Sequence, residues 1–434
     1  MRPKTLALAT ALLLISPAGW TQVSTPPVVT VISAADLLAL TLDNALTLAK
    51  SANPILKSKR AELAAAEGTQ ADASAWLNSN PEVSLAKNRR DVPQSVGTDR
   101  YREWNTGISQ TLEIAGQRGH RVDAADAAMA ALRAEIADTR RQIRAEVSER
   151  FYRVLALQQR AEIETLALKL FDDTASAIQK RRVAGEDTKL DANVASVEAE
   201  RARNQLAIAQ EQLLEARSAL ATKLQLPAAK LPQAVGELAA TRSSYTLNDL
   251  LTTTESQPRL HALTERENNA NARLSLERAS RYPDITVGAN VGREGPVGGR
   301  ERLTTFSVSL PLPLFKRNQA GVGQATTELQ QAQIERQAAL RDTRSNVTTL
   351  WAKLNSLDAR VRRLKDSVLP ALDDNQALSL KSQRAGQIGL LEMIVVNRQA
   401  LDARRDLIDA LTEYHATRVA LELAAGWPQE GTQQ

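Results

Sequence analysis

The sequence predicts a mainly α-helical protein with a small β part, built from two copies of the same half. Three features predict this fold: a long internal repeat, helices with coiled-coil spacing, and four short segments in which apolar and polar residues alternate. The repeat covers residues 41–227 and recurs over 246–428, at an offset of 200 to 205 residues. Solenoid repeats have periods of about 20–50 residues, so this period indicates a duplicated half-protein instead.

Matching segments lie at equivalent places in the two halves. Pro81–Leu85 corresponds to Pro283–Val287, and Ala184-Gly185 corresponds to Ala385-Gly386. Each half has the same predicted order: a helix, two strands, a very long helix, a small loop and another helix. We interpret residues 228–245 as the linker between the halves.

The N-terminus, residues 1–18, has the pattern of a secretory signal peptide. Arg2 and Lys4 precede an apolar run from Leu6 to Ile15, and small residues follow it. The run is far shorter than the ~20 residues of a membrane-spanning helix. We interpret residues 19–40 as an N-terminal extension and 429–434 as a C-terminal tail. The chain contains no cysteine, which excludes disulfides, and its net charge of +5 is too small to favour nucleic-acid binding.

Two long helical hairpins are predicted, at about 117–224 and 318–425. The second has apolar residues at alternating spacings of three and four, which is a coiled-coil seam: Val347, Leu350, Leu354, Leu357, Val361, Leu364 and Val368. The first half shows the same spacing more loosely. Pro370 is expected to bend the helix rather than end it, because helical composition resumes directly after it. Helices of this length and spacing require partner helices.

Each hairpin is predicted to turn in a compact tip, at 183–188 and 384–389. Gly185 and Gly386 are expected to end the first helix of each hairpin in the left-handed conformation. Thr188 is suited to cap the helix that follows. The tips are either plain turns or a docking surface, and two matching tips on matching hairpins favour docking.

Four strands are predicted, at about 81–90, 101–112, 283–293 and 302–312. Their residues alternate between two faces, as outer-membrane β-barrel strands do. Trp104, Phe306, Ile285 and Val287 are expected to face lipid, and Glu103, Asn105, Asp284 and Asn290 are expected to line water. A soluble sheet packed on helices is the alternative.

Four strands cannot close a barrel, and open edges in lipid leave backbone groups without hydrogen-bond partners. Two copies would supply eight strands, whose barrel is filled by side chains, whereas three would supply twelve and leave an opening. A closed symmetric ring is the usual arrangement of a homo-oligomer. The sequence therefore predicts a homotrimer with a twelve-stranded barrel above a helical tube (α-barrel).

Two strand-to-helix junctions carry a family resemblance. Ser309–Gln319 (SLPLPLFKRNQ) and Ser109–Arg118 (SQTLEIAGQR), with the two tip loops, resemble the TolC-like outer-membrane factors. Within that family the chain is most similar to the CzcC-type component of cobalt-zinc-cadmium efflux systems. Lys316 departs from the pattern, which tends to have an acidic or small residue there. The resemblance covers essentially the whole mature chain.

The resemblance implies a conduit in the outer membrane that extends through the periplasm. Its implied partners are a periplasmic adaptor (membrane fusion protein) and an inner-membrane RND pump, and its implied cargo is heavy-metal cations. Multidrug efflux and type I secretion remain alternatives within the family. A soluble periplasmic coiled-coil adaptor and a periplasmic enzyme remain alternatives outside it, although no nucleophile–base pair supports an enzyme.

The resemblance also implies a gate near the tips. Acidic residues after the second tip glycine form narrowing rings in the family; Glu392 fits, whereas Val395 stands where the best-known members are acidic. We therefore expect a partly apolar gate, with Met393 and Ile394 nearby. Asp191 is the equivalent acid of the first half. Both acids are alternatively first-turn helix residues favoured by the helix dipole.

The adaptor is expected to dock on the tips. The residues predicted for this are Val183, Ala184, Gly185, Glu186, Arg384, Ala385, Gly386 and Gln387.

No catalytic residue, metal site or cofactor is predicted. His120, His261 and His415 lie far apart and at non-matching places of the repeat, and we interpret each as a solvated or capping residue. The glycine-rich segment at 295–299 lies between two strands and is interpreted as a turn.

Overall fold

The computed structural model describes residues 39–427 except 94, 96, 97, 228, 229, 242–244, 297 and 386. The expected signal peptide, residues 19–38 of the expected extension, Gly386, Pro428 and the tail at 429–434 lie outside the described residues.

The two halves fold into the same order of elements. The first half contains β1 (Ala39–Leu40), α1 (Leu42–Ala52), α2 (Pro54–Ser74), β2 (Glu82–Pro93), β3 (Thr98–Leu112), α3 (Gln117–Val183) and α4 (Lys189–Leu224). The second half contains β4 (Gln233–Ala234), α5 (Leu247–Thr254), α6 (Pro258–Ala279), β5 (Ile285–Glu294), β6 (Glu301–Ser309), α7 (Gln319–Arg363), α8 (Leu369–Arg384) and α9 (Leu390–Ala425). The predicted fold class, mainly α with duplicated halves and a small β part, is confirmed.

Equivalent start signals open the helices of both halves. The Thr41 hydroxyl accepts from the backbone N–H of Asn44 (3.4 Å), and the Thr246 hydroxyl accepts from that of Asp249 (3.3 Å). The next helices, α2 and α6, each begin with a proline, which has no N–H to leave unpaired at that position.

The long helices differ between the halves at one point. Helix α3 runs uninterrupted for 67 residues, about 100 Å at ~1.5 Å per residue. In the second half a π-helical turn at Leu364–Val368 separates α7 from α8, whose second residue is Pro370. Because proline cannot donate to the preceding turn, the widened turn lets the helix continue past it. Pro370 therefore does not end the helical run, as predicted.

The halves interlock through the helices. Helix α3 packs against α4 of its own half and against α6 and α9 of the other half. Four of the seven predicted seam residues, Val347, Leu354, Leu357 and Val361, are each at most 6% exposed. The other three, Leu350, Leu364 and Val368, are half-buried. No helix in the described parts of the chain is long and apolar enough to cross a membrane.

The main sheet has four antiparallel strands in the order β2-β3-β5-β6, so the strands of both halves join in one sheet. The register places Ile108 opposite Val83 on one side and opposite Ala289 on the other. In the described chain, β2 and β6 are the edges of this sheet. A separate two-residue parallel pairing joins β1 to β4.

Candidate functional site

The sheet has one apolar and one polar face, and the strand register assigns each residue to a face. Residues directly opposite each other on antiparallel strands project to the same side. The apolar face carries Val83, Leu85, Trp104, Ile108, Leu112, Ile285, Val287, Ala289, Val291, Phe306 and Val308. Instead of being packed against the helices, this face is open, with Phe306 82% and Leu85 78% exposed.

The polar face lies on the other side of the same strands. Its residues include Ser84, Asn88, Glu103, Asn105, Ser109, Thr111, Thr286, Asn290, Thr305 and Ser307. The hydroxyls of Thr111 and Thr286 lie 2.9 Å apart across two strands. Small residues keep the crowded centre of this face clear: a Cβ at Gly107 would lie 1.6 Å from Asn290 Oδ1.

Asp284 does not line the polar face as predicted. It precedes β5, and its Oδ1 accepts from Nε2 of the buried Gln117 at 3.2 Å. It therefore fixes the start of α3 against the sheet.

The polar face is acidic at the end of the sheet where β2 turns into β3 and β5 turns into β6, which we call the hairpin end. This end lies far from the helices. Glu103, Glu294 and Glu301 project there, and the one described cation on this face is Arg90, whose Nη1 lies 3.3 Å from Glu103 Oε1. Three carboxylates against one guanidinium leave an excess of negative charge that attracts cations. Glu294 and Glu301 are not among the residues predicted to line water, because the predicted strands, 283–293 and 302–312, each stop one residue short of them.

Exposed aromatic residues mark the opposite end of the sheet, where helices meet strands. Trp76, Tyr282 and Phe315 are 81%, 64% and 97% exposed. All three lie in the connections that follow α2, α6 and β6. Aromatic residues at this position are typical of a membrane–water interface.

The first hairpin tip is a tight glycine turn. Gly185 has φ +84°, and the Glu186 N–H donates to the Arg181 carbonyl at 2.9 Å. A Cβ on Gly185 would meet no described atom within 4 Å, so the turn itself requires glycine there. Val183 is 78% exposed at this tip.

The second tip repeats this hydrogen bond. The Gln387 N–H donates to the Ser382 carbonyl at 2.9 Å, and the Ala385 N–H donates to the Lys381 carbonyl at 3.1 Å. Ala385 and Gln387 are exposed, like Ala184 and Glu186 of the first tip. Gly386 and the side chain of Arg384 lie outside the described residues.

The two predicted gate acids are the third residues of their helices. Asp191 Oδ2 accepts from the Thr188 N–H at 3.2 Å, and Glu392 Oε2 accepts from the Gly389 N–H at 2.7 Å. The Thr188 hydroxyl in turn accepts from the Asp191 N–H at 3.1 Å. Both carboxylates therefore cap helix ends, which is the local role that the alternative interpretation assigned them.

The two apolar residues expected near the gate, Met393 and Ile394, are buried instead. Met393 and Ile394 are 6% and 4% exposed, and Ile394 packs against Phe171 inside the chain. The exposed apolar residues beside Glu392 are Leu391 and Val395. The helical phase of α9, which one sequence does not reveal at its first turn, turns Met393 and Ile394 inward.

Buried ion pairs fasten α9 to the first hairpin. Glu164 on α3 is 1% exposed and accepts from Arg405 Nε and Nη2 at 2.8 and 2.5 Å. Arg160 Nε adds a third contact at 2.9 Å. On α4, Glu198 accepts from Arg398 Nε at 2.9 Å and from its Nη2 at 2.5 Å. The hydrogen bond to Glu164 raises the pKa of Arg405, so the guanidinium stays protonated.

The interpretation of His415 as solvated or capping is wrong. Its side chain is buried, 3% exposed, and stacks on Tyr152 with ring centroids 4.0 Å apart. Burial lowers the pKa of His415 to about 4, so the ring is neutral near pH 7. His261 is exposed. Within the described residues no group of histidine and acidic side chains is arranged to hold a metal ion.

The amino-acid sequence is similar to those of known outer-membrane proteins. The sequence profile of the family "Outer membrane efflux protein" matches residues 45–224 and 252–427. The cobalt-zinc-cadmium resistance protein CzcC of Cupriavidus metallidurans is 27% identical over 387 residues, covering 89% of this chain and 90% of CzcC. The nickel-cobalt-cadmium resistance protein NccC of Alcaligenes xylosoxydans xylosoxydans is 24% identical over 313 residues, covering 68% and 67%.

A solved structure shows the same fold. The Campylobacter jejuni CmeC outer membrane channel superimposes with a TM-score of 0.75 at 13% identity, covering 91% of this chain and 87% of CmeC. The predicted resemblance to TolC-like outer-membrane factors is confirmed, and the chain is a transport channel protein rather than an enzyme.

Proposed function

The chain belongs to the outer membrane efflux protein family, and from this premise we propose that it is the exit duct of a tripartite RND-type system that exports heavy-metal cations. The observation that carries the proposal is the open apolar face of the sheet, backed by a polar face on the same strands. Such a sheet separates lipid from water when it closes on itself.

We infer a homotrimer from the edges of the chain. One side presents α2, β2 and α4, and the other presents β6, α7 and α8. Copies joined head to tail through these edges close into a ring, and three copies supply twelve strands. The outer helices carry apolar residues for such a contact: Leu190, Val197 and Leu214 are exposed on α4, as are Leu378 and Leu380 on α8.

In this assembly the sheet lies in the outer membrane and the helices lie in the periplasm. From Leu112 to Trp104 the apolar face extends roughly 27 Å along β3, at ~3.4 Å per residue. With the tilt of barrel strands this approaches the apolar band of about 25 Å in such barrels. The aromatic residues Trp76, Tyr282 and Phe315 then lie at the periplasmic interface of the membrane, and the hairpin end of the sheet faces the cell exterior.

Heavy-metal cations are the cargo that the acidic hairpin end and the two metal-resistance relatives favour. A strain that lacks this gene is expected to become sensitive to cobalt, zinc and cadmium salts and to regain resistance with the wild-type gene. Sensitivity to organic drugs is measured in parallel. If only drug sensitivity changes, the duct serves multidrug efflux; if neither changes, the export proposal fails.

We propose that Glu392 and Asp191 narrow the periplasmic entrance, where three copies of each acid surround the axis. Converging carboxylates concentrate cations. Glu392→Gln keeps a side chain that can accept the Gly389 N–H, so it removes charge while it preserves the cap. Lower cation preference in planar-bilayer conductance is expected. Unchanged selectivity would leave these acids with the capping role alone.

We propose that the periplasmic adaptor docks on the two tips. Small residues there let a partner approach the backbone closely, and Val183 offers an exposed apolar contact. Gly185→Val is expected to abolish efflux-dependent resistance while trimers still reach the membrane. Gly298→Val, on the hairpin at the other end, is the matched control and is expected to retain resistance. Full resistance of the Gly185 variant would exclude the first tip as the docking surface.

A further inference from the structure

Six basic side chains lie on the apolar face of the sheet, at its hairpin end. We name this cluster the basic collar: Lys87, Arg89, Arg100, Arg102, Arg293 and Arg302. All six are exposed. Trp104, the outermost residue of the apolar band, shares a row with Lys87, Arg293 and Arg302, and Leu85, Thr106 and Val291 lie in the next row. The collar is therefore the outer border of the surface assigned to lipid.

The described residues do not neutralise the collar. The register places Arg89 directly opposite Arg102, and Arg293 directly opposite Arg302. Like charges in such positions destabilise a sheet. The one described acid on this face is Asp91, whose Oδ1 lies 3.3 Å from Arg89 Nε and 3.9 Å from Arg100 Nε. Six cations against one carboxylate leave an excess of positive charge that an external anion would stabilise.

Neighbouring charged residues along a strand project to opposite faces of the sheet. Arg89 belongs to the collar, whereas Arg90 projects to the polar face and contacts Glu103. At the same level the polar face carries Glu294 and Glu301. The hairpin end is thus basic outside and acidic inside, so the positive charge is confined to the lipid side.

We propose that the basic collar binds the phosphate groups of phosphorylated glycolipid in the outer leaflet of the outer membrane. Arginine donates bidentate hydrogen bonds to phosphate, and four of the collar arginines form two adjacent pairs. The apolar band directly below accepts the acyl chains of the same lipid. A free anion or an acidic polypeptide would use the collar but not this band. The assignment rests on the proposed function, because it requires the hairpins to point outward.

The test uses the full chain purified in detergent and lipid A with two phosphates as the probe. Binding is measured by native mass spectrometry during a titration. Arg89→Gln is expected to weaken binding about fivefold, from the contribution of one arginine near an anionic surface. The quadruple variant R89Q/R102Q/R293Q/R302Q removes four such contributions and is expected to weaken binding on the order of several hundredfold. Arg90→Gln, the neighbour on the polar face, is the matched control and is expected to bind like wild type.

Removal of the phosphates from the lipid A is expected to weaken binding to wild type as much as the fourfold substitution does. Equal binding of phosphorylated and dephosphorylated lipid would overturn the inference, as would an equal effect of Arg89→Gln and Arg90→Gln. Binding of inorganic phosphate or polyglutamate as tight as that of lipid A would overturn it too. The oligomer mass of each variant is measured first. If the quadruple variant does not assemble, the binding of lipid A to Arg89→Gln is the result that tests the inference.

Failure of this inference is distinguishable from failure of the proposed function. A protein that conducts ions in bilayers but ignores lipid phosphates refutes the collar alone. A protein that stays out of the membrane refutes the exit duct.

Discussion

Replacement of Val287 by arginine tests which face of the sheet meets lipid. Val287 lies between Gln110 and Val308 on the apolar face. Thr286, the next residue, contacts Thr111 on the polar face. Arginine at these two neighbouring positions adds the same charge to the same strand, but on opposite sides.

The register sets the expected magnitude. The row of Ile108, Ala289 and Phe306 is the middle of the apolar band, and Val287 lies one row away, roughly 7 Å along the strand. Arginine costs about 2–4 kcal/mol at the bilayer midplane and about 0–1 near the interface, so we expect about 2 kcal/mol per chain for Val287→Arg. In a trimer this penalty applies three times. Thr286→Arg is expected to lose only the hydroxyl contact, about 1 kcal/mol.

The assay is the yield of detergent-resistant oligomer in outer-membrane fractions. Val287→Arg is expected to lower it strongly, and Phe306→Arg, nearer the middle of the band, to lower it further. Thr286→Arg is expected to assemble. Equal yields for the Val287 and Thr286 variants, or a lower yield for Thr286→Arg, would refute the assignment of the faces.

Two further predictions concern the helices. Glu164→Ala leaves Arg405 and Arg160 without their buried partner and is expected to destabilise the protein by about 3–5 kcal/mol in thermal unfolding. Glu200→Ala, which removes an exposed carboxylate, is the control and is expected to cost less than about 1 kcal/mol. Equal melting temperatures of the two variants would show that the buried pair does not hold α9 to α3. The pKa of His415 is about 4 in the folded state and ~6.5 in the unfolded state. Between these pH values the unfolded state binds more protons, so the free energy of unfolding is expected to fall by roughly 3 kcal/mol as the pH drops from 6.5 to 4. His415→Phe should remove that pH dependence, and a slope that persists in the variant would assign it to other groups.

The parts of the fold that depend on local patterns could be predicted from the sequence. The spacing of Val347, Leu354 and Val361 predicts a buried seam, and these residues are buried. The glycine at 185 and the threonine at 188 predict a helix end and a helix start, because few other residues satisfy the backbone there. The alternation in the strands likewise predicts two unlike faces.

The parts that depend on distant contacts could not be predicted. His415 is buried because Tyr152, 263 positions earlier in the chain, stacks on it. Met393 and Ile394 are internal because α9 packs on the first hairpin. Which residues of the two halves lie directly opposite each other, such as Ile108 and Ala289, follows from the register between β3 and β5, and a single sequence does not determine that register.

The mass of the purified protein in detergent gives the number of chains in the complex, and the surfaces assigned to lipid and to water both require a ring of copies. The chain has a mass of 47.2 kDa, so we expect a complex of three chains, about 140 kDa less the signal peptides, after subtraction of bound detergent. A stable monomer with full β content would contradict it, since the exposed edges of β2 and β6 would then lie in lipid without hydrogen-bond partners.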